Sequence, residues 1–351
     1  MEAIALAVHS WEYGVFDQRR TPMINWDAHA CLPQHPQADF TPVQQLHAAG
    51  VNYVSLNVGA DMNPVSQVMS VIAGYRATIA SDPDRYVLVS SVDDIIQAAA
   101  DGRMAISFDL EGAMPLLDQP EMVALYAQLG VRQMHFAYNR NNNVADGCHD
   151  TPRGLTGLGH SMVAAVNDAG ILMDCSHTGR RCSLDIMAAS SQPVIFSHAN
   201  PYTLVQHGRN ITDEQIEACA ATGGVICVSG LSWFLGQENP GADDVARHAA
   251  YIADKVGVAH AGIGLDICFQ QAGLDDTPPG EFDPSHWWPA AAGYDAGKPP
   301  TFTPPGVWRQ LAAALRKVGM SDAEAEMVMG RNMMRVAQQV WSRPQALLKA
   351  A

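Results

Sequence analysis

Basic residues are scarce in this chain: 21 Lys and Arg stand against 36 Asp and Glu, a formal charge of −15 over 351 residues. Phosphate binding needs a basic surface, so the composition disfavours a nucleic-acid partner. Long apolar runs are missing as well. No stretch approaches the ~18 apolar residues of a membrane span. The N-terminus, Met1 to His9, has no basic segment ahead of its apolar one and does not read as a signal peptide. The seven cysteines, Cys31, Cys148, Cys175, Cys182, Cys219, Cys227 and Cys268, are odd in number and scattered. Several sit in apolar, strand-like runs. That pattern predicts buried free thiols in a reducing cytoplasm, not a disulfide framework. No G-x-G-x-x-G follows the first strand-like run, which argues against a dinucleotide fold. No short-period repeat and no linker composition appears, so residues 1–351 read as one domain.

What is present is a globular core, with 48% of residues hydrophobic. Two stretches organise it. Ile171-Leu172-Met173-Asp174-Cys175-Ser176-His177 and Pro193-Val194-Ile195-Phe196-Ser197-His198 are short apolar runs that each end on a histidine. Such runs, bounded by turn signals, read as buried parallel strands. The residues between them, 178–192, suffice for one helix, giving a βαβ unit with a histidine at the C-terminal end of each strand. Ligands and catalytic groups gather at that end of an α/β sheet.

Along the chain, residues 2–17 suggest a small hairpin or cap. Pro22 to Cys31, Asn52 to Val58, Met104 to Leu110 and Val131 to Tyr138 read as the first four strands. The histidine pair forms the fifth and sixth, and Gly223 to Ser229 and Ala261 to Asp266 the last two. Helices are expected between them: Phe40–Gly50, Pro64–Ile79, a serine-capped helix from Ser90-Ser91 to Asp101-Gly102, Glu121–Leu129, His160–Asp168, a helix opened by the capping box Thr212-Asp213-Glu214-Gln215, and Asp243–Val256. The loop 139–159 is long, polar and rich in Asn and Gly, as functional loops are. Residues 270–306 read as an irregular excursion, and helices Pro305–Val318 and Asp322–Val340 close the chain. Eight strands interleaved with helices predict a (β/α)8 TIM barrel, with a doubly wound open sheet as the alternative.

In a barrel the strand ends converge on one mouth. They are His29 and Cys31, Glu111, Tyr138, His177, His198 and Asp266. Two imidazoles and a carboxylate suit zinc or a similar divalent ion. An open coordination position would lower the pKa of a bound water to ~7, and a nearby acid could take its proton. Each residue alone has a bland reading: a strand-end histidine is commonly structural, Glu111 could cap a helix, Asp266 could serve a turn, and Cys31 could be a buried thiol.

One family shares this order of segments. Asp27-Ala28-His29 with Leu32-Pro33, Leu110-Glu111-Gly112, Gly130-Val131-Arg132, Gly154-Leu155-Thr156, Met173 to His177, Pro193 to His198, Arg209-Asn210, Gly264-Leu265-Asp266 and Gly330 to Arg335 resemble the membrane dipeptidase (renal dipeptidase) family. These are zinc peptidases, a branch of the amidohydrolase-type barrels. The resemblance implies two metals, one on a His-x-Asp pair of the first strand and one on the two later histidines, bridged by a glutamate. Here His177 and His198 would hold one ion and Glu111 would bridge. Asp266 would match the acid that takes the proton from the metal-bound water, and Arg209 the arginine that grips a dipeptide carboxylate. The sequence departs from the pattern twice: Cys31 stands where the pattern has aspartate, and Tyr138 falls where it has a histidine that polarises the scissile carbonyl.

The expectation is thus a zinc-dependent, dipeptidase-like metallohydrolase. It would cleave the amide bond of a dipeptide or small N-acyl amino acid by attack of a metal-bound hydroxide. One zinc is expected to be tightly bound at His177 and His198, with the His29/Cys31 position empty or weakly filled and a second zinc allowed for. The partner is a small molecule, with no nucleic acid and no membrane, and a homodimer is allowed for. Two alternatives stay open: a one-metal amidohydrolase with another small substrate, and a catalytically silent barrel that binds a metal or ligand.

Overall fold

The computed structural model describes residues 23–341 except 276 and 296. The expected N-terminal hairpin therefore lies outside the described residues. Ten strands appear: β1 (Trp26–Cys31), β2 (Tyr53–Ala60), β3 (Tyr86–Leu88), β4 (Met104–Glu111), β5 (Val131–His135), β6 (Leu172–Asp174), β7 (Val194–Ile195), β8 (Ile226–Val228), β9 (Ala261–Ile263) and β10 (Ile267–Cys268). The larger sheet runs in the order β10-β1-β2-β4-β5-β6-β7, with β3 added on β4, and β8 pairs with β9. Every pairing is parallel. Short bridges bend this path round on itself. Phe196 N donates to Val225 O and Cys227 N donates to Phe196 O, joining the end of β7 to β8, and Asp266 N donates to His29 O, bringing the chain after β9 back to β1. The result is a curled α/β sheet of the (β/α)8 barrel type.

Helices follow the strands: α1 (Thr41–Ala48), α2 (Val65–Ser81), α3 (Val92–Ala100), α4 (Glu121–Leu129), α5 (Gly157–Ala169), α6 (Arg180–Ala189), α7 (Asp213–Ala221), a short α8 (Ser232–Leu235) and α9 (Ala242–Val256). Their starts follow local chemistry. Ser91 and Asp94 form a reciprocal capping box on α3, and at the start of α7 Gln215 Oε1 accepts from Thr212 N. The excursion 270–306 is mostly irregular, with one short helix, α10 (Pro284–Trp287). The chain closes through α11 (Trp308–Lys317), α12 (Asp322–Glu326) and α13 (Asn332–Trp341). No helix of the described residues is long and apolar enough to cross a membrane.

Two departures from the sequence reading bear on the site. β5 stops at His135, not at Tyr138, so Tyr138 is not a strand-end residue. The carbonyl of Phe136 is taken by Asn142 Nδ2 and Ala113 N, and that of Ala137 by the His135 ring, so the ladder to β6 cannot continue. The long terminal helix is broken at residues 327–331, where Gly330 presses against the chain entering β1: a Cβ there would lie 2.0 Å from Ile24 O. That contact seats α13 beneath the barrel, where Trp341 joins Trp26 and Tyr53 with ring centroids 5.7 and 6.2 Å away. The bottom of the barrel is thus a closed apolar core, separate from the larger core between sheet and helices. Polar side chains collect at the other end.

Candidate active site

β1 brings His29 and Cys31 to the upper rim, β4 brings Glu111 and β5 brings His135; β6, β7 and β9 lead into His177, His198 and Asp266. Register sets their level, since Glu111 pairs with His135 and Cys31 with Cys268. Gly112 lets the chain leave β4 sharply: its φ is +141°, and a Cβ there would meet Asp61 Oδ1 at 2.1 Å. Asn139, His177 and Asp266 hold left-handed backbone, with φ of 62°, 62° and 58°. This is a costly conformation for non-glycine residues, and such strain clusters at functional sites.

Glu111 Oε1 stands at the centre. His135 Nε2 lies 3.2 Å from it, His177 Nε2 and His198 Nε2 3.4 Å, and His29 Nε2 3.6 Å. The two Nε2 atoms of His177 and His198 are 2.9 Å apart. The opposite ring nitrogens face acceptors. His177 Nδ1 donates to Asn139 Oδ1 at 2.8 Å and His135 Nδ1 to the Ala137 carbonyl at 3.1 Å. His198 Nδ1 donates to Ser197 Oγ at 2.7 Å, and that hydroxyl donates in turn to Asp174. His29 Nδ1 lies 3.2 Å from Asp109 Oδ1, which Asn57 Nδ2 steadies. An acceptor at Nδ1 fixes the proton there and turns the Nε2 lone pair inward. Several lone pairs crowded on one carboxylate oxygen repel one another unless a cation lies among them. The donor set therefore fits a divalent metal centre, with imidazole and carboxylate ligands of the kind zinc takes.

Burial opposes charge throughout this pocket. It pulls His198 down to about 3 and His177 well below the usual imidazole range, with His29 adding to the first and Arg209 to the second. Burial also pulls on His29, but Asp109 and Glu111 more than reverse it and hold that ring well above its ordinary value. Glu111 is pushed up by burial, yet His29 and the surrounding imidazoles keep it well below the carboxylate range. Burial raises Asp266 to about 7, against the pull of His29. Its Oδ1 is 3.7 Å from His29 Nε2, and its Oδ2 accepts from Ser229 Oγ at 3.3 Å. Cys31 Sγ is 3.4 Å from His29 Nε2, and a hydrogen bond with Cys268, together with burial, holds its thiol well above the usual value. None of the seven cysteines is in a disulfide.

Around this cluster lie the substrate-facing groups. Tyr138 stacks on His177 with centroids 4.2 Å apart, and Trp288 Nε1 donates to its hydroxyl at 3.2 Å. Burial keeps that phenol protonated, well above its ordinary pKa. Asp61 accepts from Tyr138 N at 2.9 Å and from Asn142 Nδ2 at 3.0 Å, tying down the loop after β5. Asn139 Nδ2 donates to Trp287 O, so the 139–159 loop and the 270–306 excursion meet beside His177. Arg209 is 2% exposed. Its Nη2 donates to His198 O at 3.1 Å, its Nε has no partner, and no carboxylate among the described residues forms an ion pair with it. A buried guanidinium without an anion is costly.

The structure thus brings His29, Cys31, Glu111, His177, His198 and Asp266 together, with Tyr138 and Arg209 beside them. Sequence reasoning missed His135, because Val131 to His135 carries Arg132 and Gln133 and does not read as an apolar run ending on a histidine. It missed the anchors Asp109 and Asn139 too; Asp109 could have been read from its place two residues before Glu111, on the same strand face.

The sequence profile of the membrane dipeptidase family, peptidase family M19, matches residues 34–279. The chain belongs to this family. The matched stretch holds Glu111, His135, His177, His198, Arg209 and Asp266, and begins just past β1 with its His29 and Cys31. Among curated relatives, dipeptidase verJ of Clonostachys rogersoniana is 28% identical over 74% of this chain and 65% of its own length. Dipeptidase tcpJ of Claviceps purpurea is 28% identical over 73% of this chain and 56% of its own. The chain thus spans somewhat less than two thirds of these relatives. Among solved structures, an amidohydrolase from Pseudomonas aeruginosa is 26% identical with a TM-score of 0.78, covering 91% of this chain and 97% of that one. A metallo peptidase from Rhodobacter sphaeroides, liganded with a phosphinate mimic of the dipeptide L-Ala-D-Ala, shares the fold at 18% identity and a TM-score of 0.71, over 91% of this chain and 99% of that one.

Proposed function

We propose that this member of the membrane dipeptidase family is a metal-dependent hydrolase of the amide bond in a dipeptide or similar small N-acyl amino acid. The observation that carries the reading is the ring of imidazole Nε2 atoms on Glu111 Oε1, set beside Asp266 and the unpaired Arg209. His177, His198 and Glu111 would hold zinc, and His29 with Cys31 would form a weaker first position. A bound zinc supplies Lewis-acid polarisation of the carbonyl and a nucleophile at neutral pH. Asp266 takes the proton of the attacking water and returns it to the leaving amine. The Tyr138 hydroxyl, with Trp288 donating to its oxygen, keeps its own proton free to donate to the developing oxyanion. Arg209 receives the substrate carboxylate as a fork. The Rhodobacter neighbour, described with a dipeptide mimic bound, supports a substrate of this size.

The test is metal content and turnover of the purified protein on a dipeptide panel, each member offered with a free and an amidated C-terminus. The expected result is hydrolysis that is lost on chelation, restored by zinc, and at least tenfold faster on the free acids. A metal-loaded protein that turns over no dipeptide would favour the silent barrel.

A further inference from the structure

We propose that His135 is a metal ligand, and that the tightly held ion sits on His135, His177, His198 and Glu111 and not on the β1 pair. This rests on the reading of the pocket as a metal centre, and goes beyond it by moving the ligand set.

Three observations carry it. His135 Nε2 is nearer to Glu111 Oε1 than any other imidazole of the cluster, at 3.2 Å against 3.4, 3.4 and 3.6 Å. Its Nδ1 faces the Ala137 carbonyl, which can only accept, so the lone pair of Nε2 must point at the carboxylate. A single proton could relieve one such contact. His177 and His198 present the same lone pairs to the same oxygen, and one cation relieves all three.

The spacings also suit one ion. Donors about 2.0–2.1 Å from a tetrahedral zinc stand about 3.3 Å apart. The separations here are 3.2, 3.4 and 3.4 Å to Glu111 Oε1 and 2.9 Å between His177 and His198. His135, Glu111 and His177 form one compact donor group, and Glu111 with His198 and His29 forms a second that shares the same carboxylate.

The β1 side offers less. Residue 31 is a thiol, and its neighbour in register is a second thiol, Cys268. His29 is the one imidazole that β1 itself supplies, and the His198 ring stacked on it at 4.1 Å is shared with the other side.

The experiment uses the protein as purified, loaded with zinc or cobalt(II). Metal content, X-ray absorption at the metal edge and the cobalt visible spectrum are read for the wild type, His135→Gln and Cys31→Ser. The expected wild type holds one tight ion with three imidazoles and no sulfur in its shell. His135→Gln should weaken that ion by about 100-fold or more, beyond what loss of an outer-shell partner gives, and change the cobalt spectrum. Cys31→Ser should keep the ion. Wild-type metal affinity and cobalt spectrum in His135→Gln would overturn the proposal, as would a two-imidazole or sulfur-containing shell in the wild type. The wild-type shell decides the matter even if His135→Gln does not fold. A retained ion without His135 refutes this inference alone, whereas a wild type that binds no divalent metal refutes the metal-centre reading with it.

Discussion

Asp266 and Arg209 are both buried charges whose partners the fold does not supply in full. Asp266 has one hydroxyl on its carboxylate and a histidine at 3.7 Å. Arg209 has one backbone carbonyl. A structural role would call for complete hydrogen bonding, because an unsatisfied buried charge costs stability. Both are better understood as groups that wait for substrate. Asp266→Asn keeps the size and the Ser229 contact and removes the proton acceptor. It should retain metal and melting temperature and lower kcat by roughly two to four orders of magnitude. A variant with a depressed melting temperature but normal kcat would assign Asp266 a structural task. The same logic explains what could be read from residues alone. Glu111 ends β4, His29 lies two residues before the end of β1, and His177 and His198 each follow a short apolar run, and that pattern is local. Which nitrogen faces inward depends on Asn139, Ala137, Ser197 and Asp109, whose approach is set by tertiary packing and leaves no trace in spacing.

At the scale of elements, parallel strands buried on both faces are legible where they are short apolar runs, as at β6, β7 and β8. β3 escaped notice because it is three residues long and lies on the edge of the pattern. The end of β5 is not legible because the apolar series of Met134, Phe136 and Ala137 continues past the point where the ladder stops. His135 is the last residue of β5, and Tyr138 lies in the loop just beyond it. The 139–159 loop was flagged by its length and polarity, and its contribution is now specific: Asn139, in a left-handed conformation, supplies the acceptor that orients His177. Asn139→Gly keeps the backbone permitted and removes the acceptor. Metal affinity, measured by competition with a chelator, should fall about 10- to 100-fold. Asn139→Asp, which restores an acceptor, should recover most of it. Unchanged affinity in the glycine variant would show that His177 needs no such anchor.

For the molecule as a whole, acidity and burial act in opposite directions as pH falls. The chain carries a formal charge of −15 and has an isoelectric point near 5.1, so mild acid relieves its self-repulsion. Its buried histidines work against that. His248, fully buried on α9 away from the metal centre, is pulled down to about 4 by burial, with Arg247 adding to the effect. In the unfolded chain it titrates near 6.5. Between those values the unfolded state binds the proton and the folded state does not, so stability rises with pH through this window. The contribution is fully present above about pH 6.5 and is lost as pH falls toward 4, by about 3 kcal/mol at most. Replacing the ring by a side chain that never ionises should remove this part of the acid sensitivity. Urea unfolding at pH 7, 6, 5 and 4.5 should therefore show a shallower decline for His248→Gln than for the wild type, by up to about 1.4 kcal/mol per pH unit. The histidines of the centre also take up protons as metal is lost, but they do so equally in both proteins and cancel in the comparison. Parallel stability curves for the two proteins would mean that His248 is protonated at no extra cost when folded, and the argument from burial would fail there.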